Sequence, residues 1–210
     1  MKKERSSRQL AALTKTFVTL SVLTIFSGVV CSAQTYAKRH AACAKSYGLT
    51  ASSPDSLVWE YMDSMNHCLV GAAAPDFKAK TINGKTIELN KLKGNVVMIN
   101  FWAIWCGPCV HEIPWLNKLA QSYSGKKISF ISVAVDSLPA VKKYLTSHPF
   151  NFATIALGET IMQDIFKLPG AFPYTVIIDK EGKICEWRIG GFDEQQQTIS
   201  FYKKIIDRVL

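Results

Sequence analysis

The residues best placed to do chemistry are Cys106 and Cys109, in the run Trp102-Ala103-Ile104-Trp105-Cys106-Gly107-Pro108-Cys109. Cysteines with two residues between them suit dithiol–disulfide exchange, and they also supply half the ligands of a zinc site. The run lies where an apolar stretch, Asn95 to Phe101, gives way to a helical pattern from Gly107. At such a strand-to-helix step, cysteines in the first turn approach closely enough to bond with little backbone movement. The free N–H groups and positive dipole end of the helix face the first sulfur and favour its thiolate. Cys106 is therefore the expected nucleophile. Cys109, one turn deeper, is the expected resolving thiol that attacks a mixed disulfide. Pro108 is tolerated in a first helical turn, where its missing N–H costs nothing. Two alternatives stay open at this point. Zinc would need two further ligands, for which His67 and Cys68 are candidates, although structural zinc pairs usually sit in loops or knuckles. A purely structural disulfide is the other.

The elements that must position this pair follow from the pattern around it. Asn95 to Phe101 is a nearly continuous apolar strand, the type buried on both faces of a sheet. Ahead of it, Phe77–Thr81 and Thr86–Leu89 flank Asn83-Gly84, a hairpin signal. Behind it come a helix from Gly107 to about Tyr123, kinked at Pro114, and a second central strand, Ile128–Val135. A helix over Leu138–Ser147, a short strand over Phe152–Ala156 and a helix over Glu159–Phe166 follow. Strands Tyr174–Asp179 and Lys183–Ile189 turn at Glu181-Gly182, and Asp193 is expected to cap a last helix to Val209. This order predicts an α/β fold, a mixed central sheet with helices on both faces. Further upstream, Ser53-Pro54-Asp55 reads as the start of a helix running to about His67. Its stripe of Leu57, Val58, Tyr61, Met62 and Met65 should pack on the main domain, while residues 34–53 read as irregular.

Three segments result: 1–33, an export signal; 34–70, a helical extension; and 71–210, the main domain, entered at Gly71 and Pro75. The first carries five basic residues and one acid, an apolar run from Phe17 to Val30, and the small residues Cys31-Ser32-Ala33. It reads as a secretory signal cut after Ala33, with a cut after Ala37, an uncleaved membrane anchor and a lipidated Cys31 as alternatives. The full 210 residues carry a net charge of +9, and +5 remains beyond residue 33. That remainder forms no Lys/Arg cluster interleaved with aromatics, which argues against a nucleic-acid site. Export places the remaining five cysteines in an oxidising compartment, the periplasm or another extracytoplasmic envelope compartment. Cys43 and Cys68 flank the extension's helix; they can bridge and tie it down, or remain as two free or partner-reactive thiols. Cys185 alternates with Trp187 and Ile189 and is expected on their apolar face as a buried, inert thiol.

The stretch Asn95 to Cys109 resembles the thioredoxin superfamily, and more narrowly the TlpA/ResA/CcmG-type envelope thiol–disulfide oxidoreductases. Supporting residues run through most of 71–210: Gly71-x3-Pro75-Asp76-Phe77, Gly84, Leu92-x-Gly94, Phe172-Pro173-Tyr174-Thr175 and Ile178-Asp179-x2-Gly182-Lys183. The resemblance implies a thioredoxin-like fold and a cis peptide at Pro173 beside the cysteine pair. It also implies that Phe172 pairs through its backbone with an extended substrate segment, as an added strand would. Trp105, Gly107, Pro108, Phe172 and Pro173 then form the substrate-binding rim. Glu112, three residues after Cys109, matches an acid that ResA-type proteins keep near the redox pair, where it could pass protons to or from Cys109; the alternative is an ordinary solvated acid early in a helix. Cytosolic thioredoxins carry a buried Asp in the strand before the motif, and here the matching residue is Asn100. Trp102 is expected to pack below the site and His111 to lie at the surface.

The function so implied is reduction of disulfides in exported proteins, apocytochromes among them, by a monomer that needs no cofactor or metal and is recharged by a membrane thiol donor. The nearest alternative is a disulfide oxidase or isomerase; a non-catalytic binding or chaperone module and a peroxidase are more distant. The Gly-Pro dipeptide leans towards reduction without setting the potential.

Overall fold

The computed structural model describes residues 36–44, 55–168 and 170–210. The export signal expected over 1–33, its cut sites and the Ser53-Pro54 helix start lie outside the described residues.

The strands are β1 (Lys78–Lys80), β2 (Thr86–Glu88), β3 (Val96–Trp102), β4 (Ile128–Ala134), β5 (Ala153–Ile155), β6 (Tyr174–Ile178) and β7 (Ile184–Ile189). The helices are α1 (residues 36–44), α2 (Asp55–Leu69), α3 (Gly107–Ser122), α4 (Leu138–Leu145) and α5 (Gln195–Val209). Every residue of β3 and of β6 is buried, and the two lie together inside a sheet of order β5-β4-β3-β6-β7. β3, β4 and β5 run parallel, whereas β6 and β7 are each antiparallel to the strand before them in the sheet. The steps β3-α3-β4 and β4-α4-β5 move in one direction, so their right-handed crossovers bring both helices to one face. There Val96, Met98 and Trp102 pack with Leu116, Leu119, Val141, Tyr202 and Ile206. The alternate residues Val97, Ile99 and Phe101 face the other way, against Phe77, Met62, Met65, Leu69 and Phe166. β1 and β2 form the expected hairpin, with Gly84 at φ +83° in its turn. That conformation suits a residue without a Cβ. α3 continues through Pro114.

Four expectations are corrected. Residues 36–44, read as irregular, are helical. Tyr36 and Cys43 are two turns apart and both buried, and the Tyr36 hydroxyl donates to the Phe166 carbonyl at 2.6 Å. Arg39 donates Nε to the carbonyl of Cys68 (2.7 Å) and Nη2 to that of Val70 (3.0 Å), satisfying carbonyls at the end of α2. Small and polar residues between these positions had hidden the stripe.

Over 159–166 the structure has a π-helical turn, Thr160–Ile165. The Phe166 N–H reaches back to Ile161 and the Leu168 N–H to Met162, both at 3.0 Å. This wider winding turns Ile161, Met162 and Phe166 into the same core. α5 is capped at Glu194 rather than Asp193, with no capping bond from the side chain.

Finally, a bulge in β7 opposite Ile177 and Ile178 inserts an extra residue at Cys185. Cys185 therefore packs on the α5 side of the sheet, away from Trp187 and Ile189, and is only half-buried. Burial still pushes its thiol up to about 11.

α2 lies against β7, with Met62, Met65 and Leu69 buried and Leu57 left exposed. The Trp187 N–H donates to Asn66 Oδ1 at 3.0 Å, and a disulfide joins Cys43 to Cys68. The bridged residues are 25 positions apart in the sequence. A Cys43→Ser, Cys68→Ser double variant should lose about 3 kcal/mol of unfolding free energy, read as a lower urea midpoint.

Candidate active site

Phe101 on β3 pairs with Tyr174 on β6. The chain leaving β3 and the chain entering β6 therefore meet at one edge of the sheet. The first carries Cys106 and Cys109; the second carries Phe172 and Pro173, joined by a cis peptide. Three hydrogen bonds fix the loop before the cysteines. The Ile104 N–H donates to Asp136 Oδ2 at 2.9 Å, that of Val135 to the Trp102 carbonyl at 3.3 Å, and that of Cys106 to the Ala103 carbonyl at 3.1 Å. Asp136 was not singled out from the sequence; its only signal was an acid directly following a central strand.

Cys106 is the N-cap of α3, with extended backbone. It is disulfide-bonded to Cys109, and its Sγ accepts the Cys109 N–H at 3.2 Å. The helix N-terminus thus delivers a donor directly to the first sulfur, the arrangement that stabilises a thiolate. Around the pair the surface is graded. Trp105 is 69% exposed, Gly107 and Pro108 are exposed, Cys106 is 6% exposed and Cys109 1%. The Trp105 ring stands edge-on to Phe172 at 5.5 Å between centroids. Phe172 is half-buried, and buried Pro173 has its carbonyl engaged by the Gly190 N–H at 2.8 Å. Trp102 lies fully buried against Tyr144 and Phe150. His111 is exposed, packed against Trp115.

Glu112 is one turn beyond Cys109 on α3 and is 1% exposed. Its Oε1 accepts Asn100 Nδ2 at 2.9 Å, and the same amide nitrogen donates to Thr175 Oγ1 at 3.2 Å. Glu112 Oε2 is buried with no hydrogen-bond partner. Gly191 backs onto this oxygen: a Cβ there would stand 3.1 Å from it. Sequence reasoning missed Gly191, and the paired glycines 190–191 after β7 were the available sign of a close backbone approach. Burial pushes the Glu112 carboxyl up to about 7, against the opposing pull of the Asn100 hydrogen bond and the Arg188 charge. A group with that proton affinity can both take and give a proton near neutral pH. Asn100, by contrast, cannot act as a base, so it serves here as a donor that orients the carboxyl.

Among the described residues, no three His, Cys, Asp or Glu side chains converge as a metal-ligand set. Cys68, a candidate ligand in the zinc alternative, is bonded to Cys43. None of the described helices is long and apolar enough to cross a membrane.

Known proteins resemble this chain along the same stretch. The AhpC/TSA family model matches residues 70–186. The thiol-disulfide oxidoreductase ResA of Bacillus thuringiensis (strain Al Hakam) is 36% identical over 138 residues, which span 65% of this chain and 78% of the relative. The ResA of Bacillus subtilis (strain 168) is 32% identical over 125 residues, 59% and 69% of the two chains. Among solved structures, a candidate thiol:disulfide interchange protein DsbE from Chlorobium tepidum superimposes with a TM-score of 0.60 at 25% identity, covering 67% of this chain and 98% of that one. The thioredoxin-like fold expected from the motifs is therefore present, and the chemistry is exchange between thiols and disulfides, with cysteine-bearing proteins as substrates. The chain belongs to the AhpC/TSA family and, within it, is a thioredoxin-like thiol–disulfide oxidoreductase of the ResA type.

Proposed function

We propose that this protein is an exported dithiol reductase of disulfides in envelope proteins. In this reading, residues 1–33 are the export signal, 34–70 a stapled extension and 71–210 the catalytic domain. The observation that carries it is the graded site: a first sulfur at the head of α3 beside exposed Trp105, and a second sulfur behind it, one turn from a buried carboxyl.

The Cys106 thiolate attacks one sulfur of the substrate disulfide, and the other sulfur leaves with the electron pair of the broken bond. Cys109 then gives its proton to Glu112 and attacks Cys106. Its sulfur forms the intramolecular disulfide, while the second substrate sulfur departs and takes up a proton. The substrate gains two electrons, and the protein ends with Cys106 bonded to Cys109. A membrane thiol donor of two electrons returns the pair to the dithiol. Phe172 and Pro173 hold the substrate segment in extended form beside Cys106, and Trp105, Gly107 and Pro108 make the rest of the contact rim.

The test is the reduction potential of the Cys106–Cys109 pair, from equilibration in graded thiol buffers with peptide mass mapping. A reductase should lie near about −270 mV, the thioredoxin range. A value near about −120 mV, that of a strong disulfide donor, would overturn the direction proposed here.

A further inference from the structure

Thr154, Ser132, Asn100, Thr175 and Arg188 occupy one rank of the sheet, paired strand to strand from β5 through β4, β3 and β6 to β7. Residues directly opposite one another point to the same face, here the one covered by α3 and α5. In the neighbouring rank on this face Phe130, Met98 and Ile177 are apolar, and its β7 member is the buried Glu186. A polar rank inside such a core is costly unless its members are bonded. Ser132 Oγ donates to Thr154 Oγ1 at 2.8 Å, and Asn100 Nδ2 joins Thr175 Oγ1 to Glu112 Oε1.

The rank ends at Arg188, which is half-buried. Its guanidinium lies over the rings of Phe192 and Phe201, 4.4 Å and 4.8 Å from their centroids. Two aromatic faces hold the charge in place on the inner side of α5. Glu186 precedes Arg188 by two positions on β7 and so shares its face. A cation thus serves two buried carboxyls, Glu112 at 1% and Glu186 at 8% exposure, and draws each towards ionisation against burial. Glu112 is also faced by Cys109 from its own helix, by the buried Tyr202 hydroxyl from α5, and by the Gly191 backbone. Glu186 meets Asn66 and His67 from α2 and Arg208 from α5.

We propose that Arg188 is a positioning residue for the exchange reaction: seated over the paired rings of Phe192 and Phe201 at the end of the polar rank, its charge sets how readily Glu112 exchanges a proton with Cys109. The inference rests on the reading of Glu112 as the proton carrier given above. Arg188 touches neither sulfur and acts only through that carboxyl.

The test is the pH profile of single-turnover reduction of a disulfide-bonded peptide by the reduced full-length protein. The parent is compared with Arg188→Met, Arg188→Lys, Glu112→Gln and the Arg188→Met, Glu112→Gln pair. Methionine keeps an aliphatic stem against Phe192 and Phe201 and removes the charge; Arg188→Gln is the second neutral variant should Arg188→Met not fold. Loss of the charge should move the inflection assigned to Glu112 upward by about one pH unit. The rate below the inflection should then fall several-fold, and Arg188→Lys should keep the parent profile. In the Glu112→Gln background, Arg188→Met should move nothing. Carbon-13 titration of the Glu112 carboxyl in the oxidised protein should show the same upward shift without any turnover. If Glu112→Gln removes the inflection but the neutral variants leave it and the carbon-13 titration in place, Arg188 has no such role and the reading of Glu112 stands. If Glu112→Gln keeps the parent inflection, both readings fall. A shift that persists in the Glu112→Gln background places the effect of Arg188 elsewhere and overturns the proposal.

Discussion

Serine at Cys106 should reduce disulfide exchange to the uncatalysed background, whereas serine at Cys109 should leave the first attack intact and stop the reaction halfway. The asymmetry follows from position. Cys106 caps α3 beside exposed Trp105 and accepts the Cys109 N–H, so its sulfur is the one that a substrate can reach and the helix can hold as thiolate. Cys109 is 1% exposed and bonded to Cys106, behind the reach of a substrate. Without its sulfur, the mixed disulfide between Cys106 and substrate has no internal route to release. Incubating reduced Cys109→Ser protein with a disulfide-bonded peptide should therefore accumulate a covalent adduct. Mass spectrometry should place that adduct on Cys106, and Cys106→Ser should form none. Adducts forming equally on both cysteines would contradict the assignment of roles.

Glu112 supplies the second large effect, and it has an opposite sign for stability and for rate. Its carboxyl is held at about 7, above the ordinary 4.5, because it is buried. Between those two values the folded chain keeps a proton that the unfolded chain releases. The neutral carboxyl therefore leaves stability undiminished at pH 4.5 and below, and stability falls as the pH rises towards and past 7. The loss amounts to about 3 kcal/mol once the folded carboxyl is ionised. Glu112→Gln has nothing to ionise, so its unfolding free energy should lack this decline. Relative to the parent, it should gain about 3 kcal/mol between pH 4.5 and pH 8 in urea titrations. The same variant should slow release of substrate from the mixed disulfide by about a hundredfold at pH 8, where the parent carboxyl is free to accept the Cys109 proton. Parallel stability curves for parent and variant over this range would show that Glu112 does not carry its proton as described.

Much of the architecture was legible in the chain because it is local. The continuous apolar run of β3, the Asn83-Gly84 hairpin and the step from β3 into α3 each depend on a few consecutive residues. What escaped depends on pairing across distance. Burial of Glu112 cannot be read from a position early in a helix, where a solvated acid is equally at home; it comes from Gly191 and Tyr202 arriving from far along the chain. The polar rank is invisible for the same reason, since it exists only when five strands adopt one register. Cys185 was placed on the wrong face because strict alternation fails at a bulge. Helix α1 was overlooked because its two anchoring residues, Tyr36 and Cys43, are separated by alanines and charges that carry no stripe.

The two disulfides lie on opposite sides of the sheet. Cys43 is buried with α2 on one face, while Cys106 and Cys109 are buried with α3 on the other. Thiol–disulfide exchange needs the attacking sulfur to come into line with the bond it breaks. A layer of five hydrogen-bonded strands, with helices packed on either side, prevents that approach within one molecule. The sheet is thus an insulator between a sulfur pair that cycles and a sulfur pair that fastens. The catalytic pair can pass between dithiol and disulfide turnover after turnover without exchanging with the staple of its own chain.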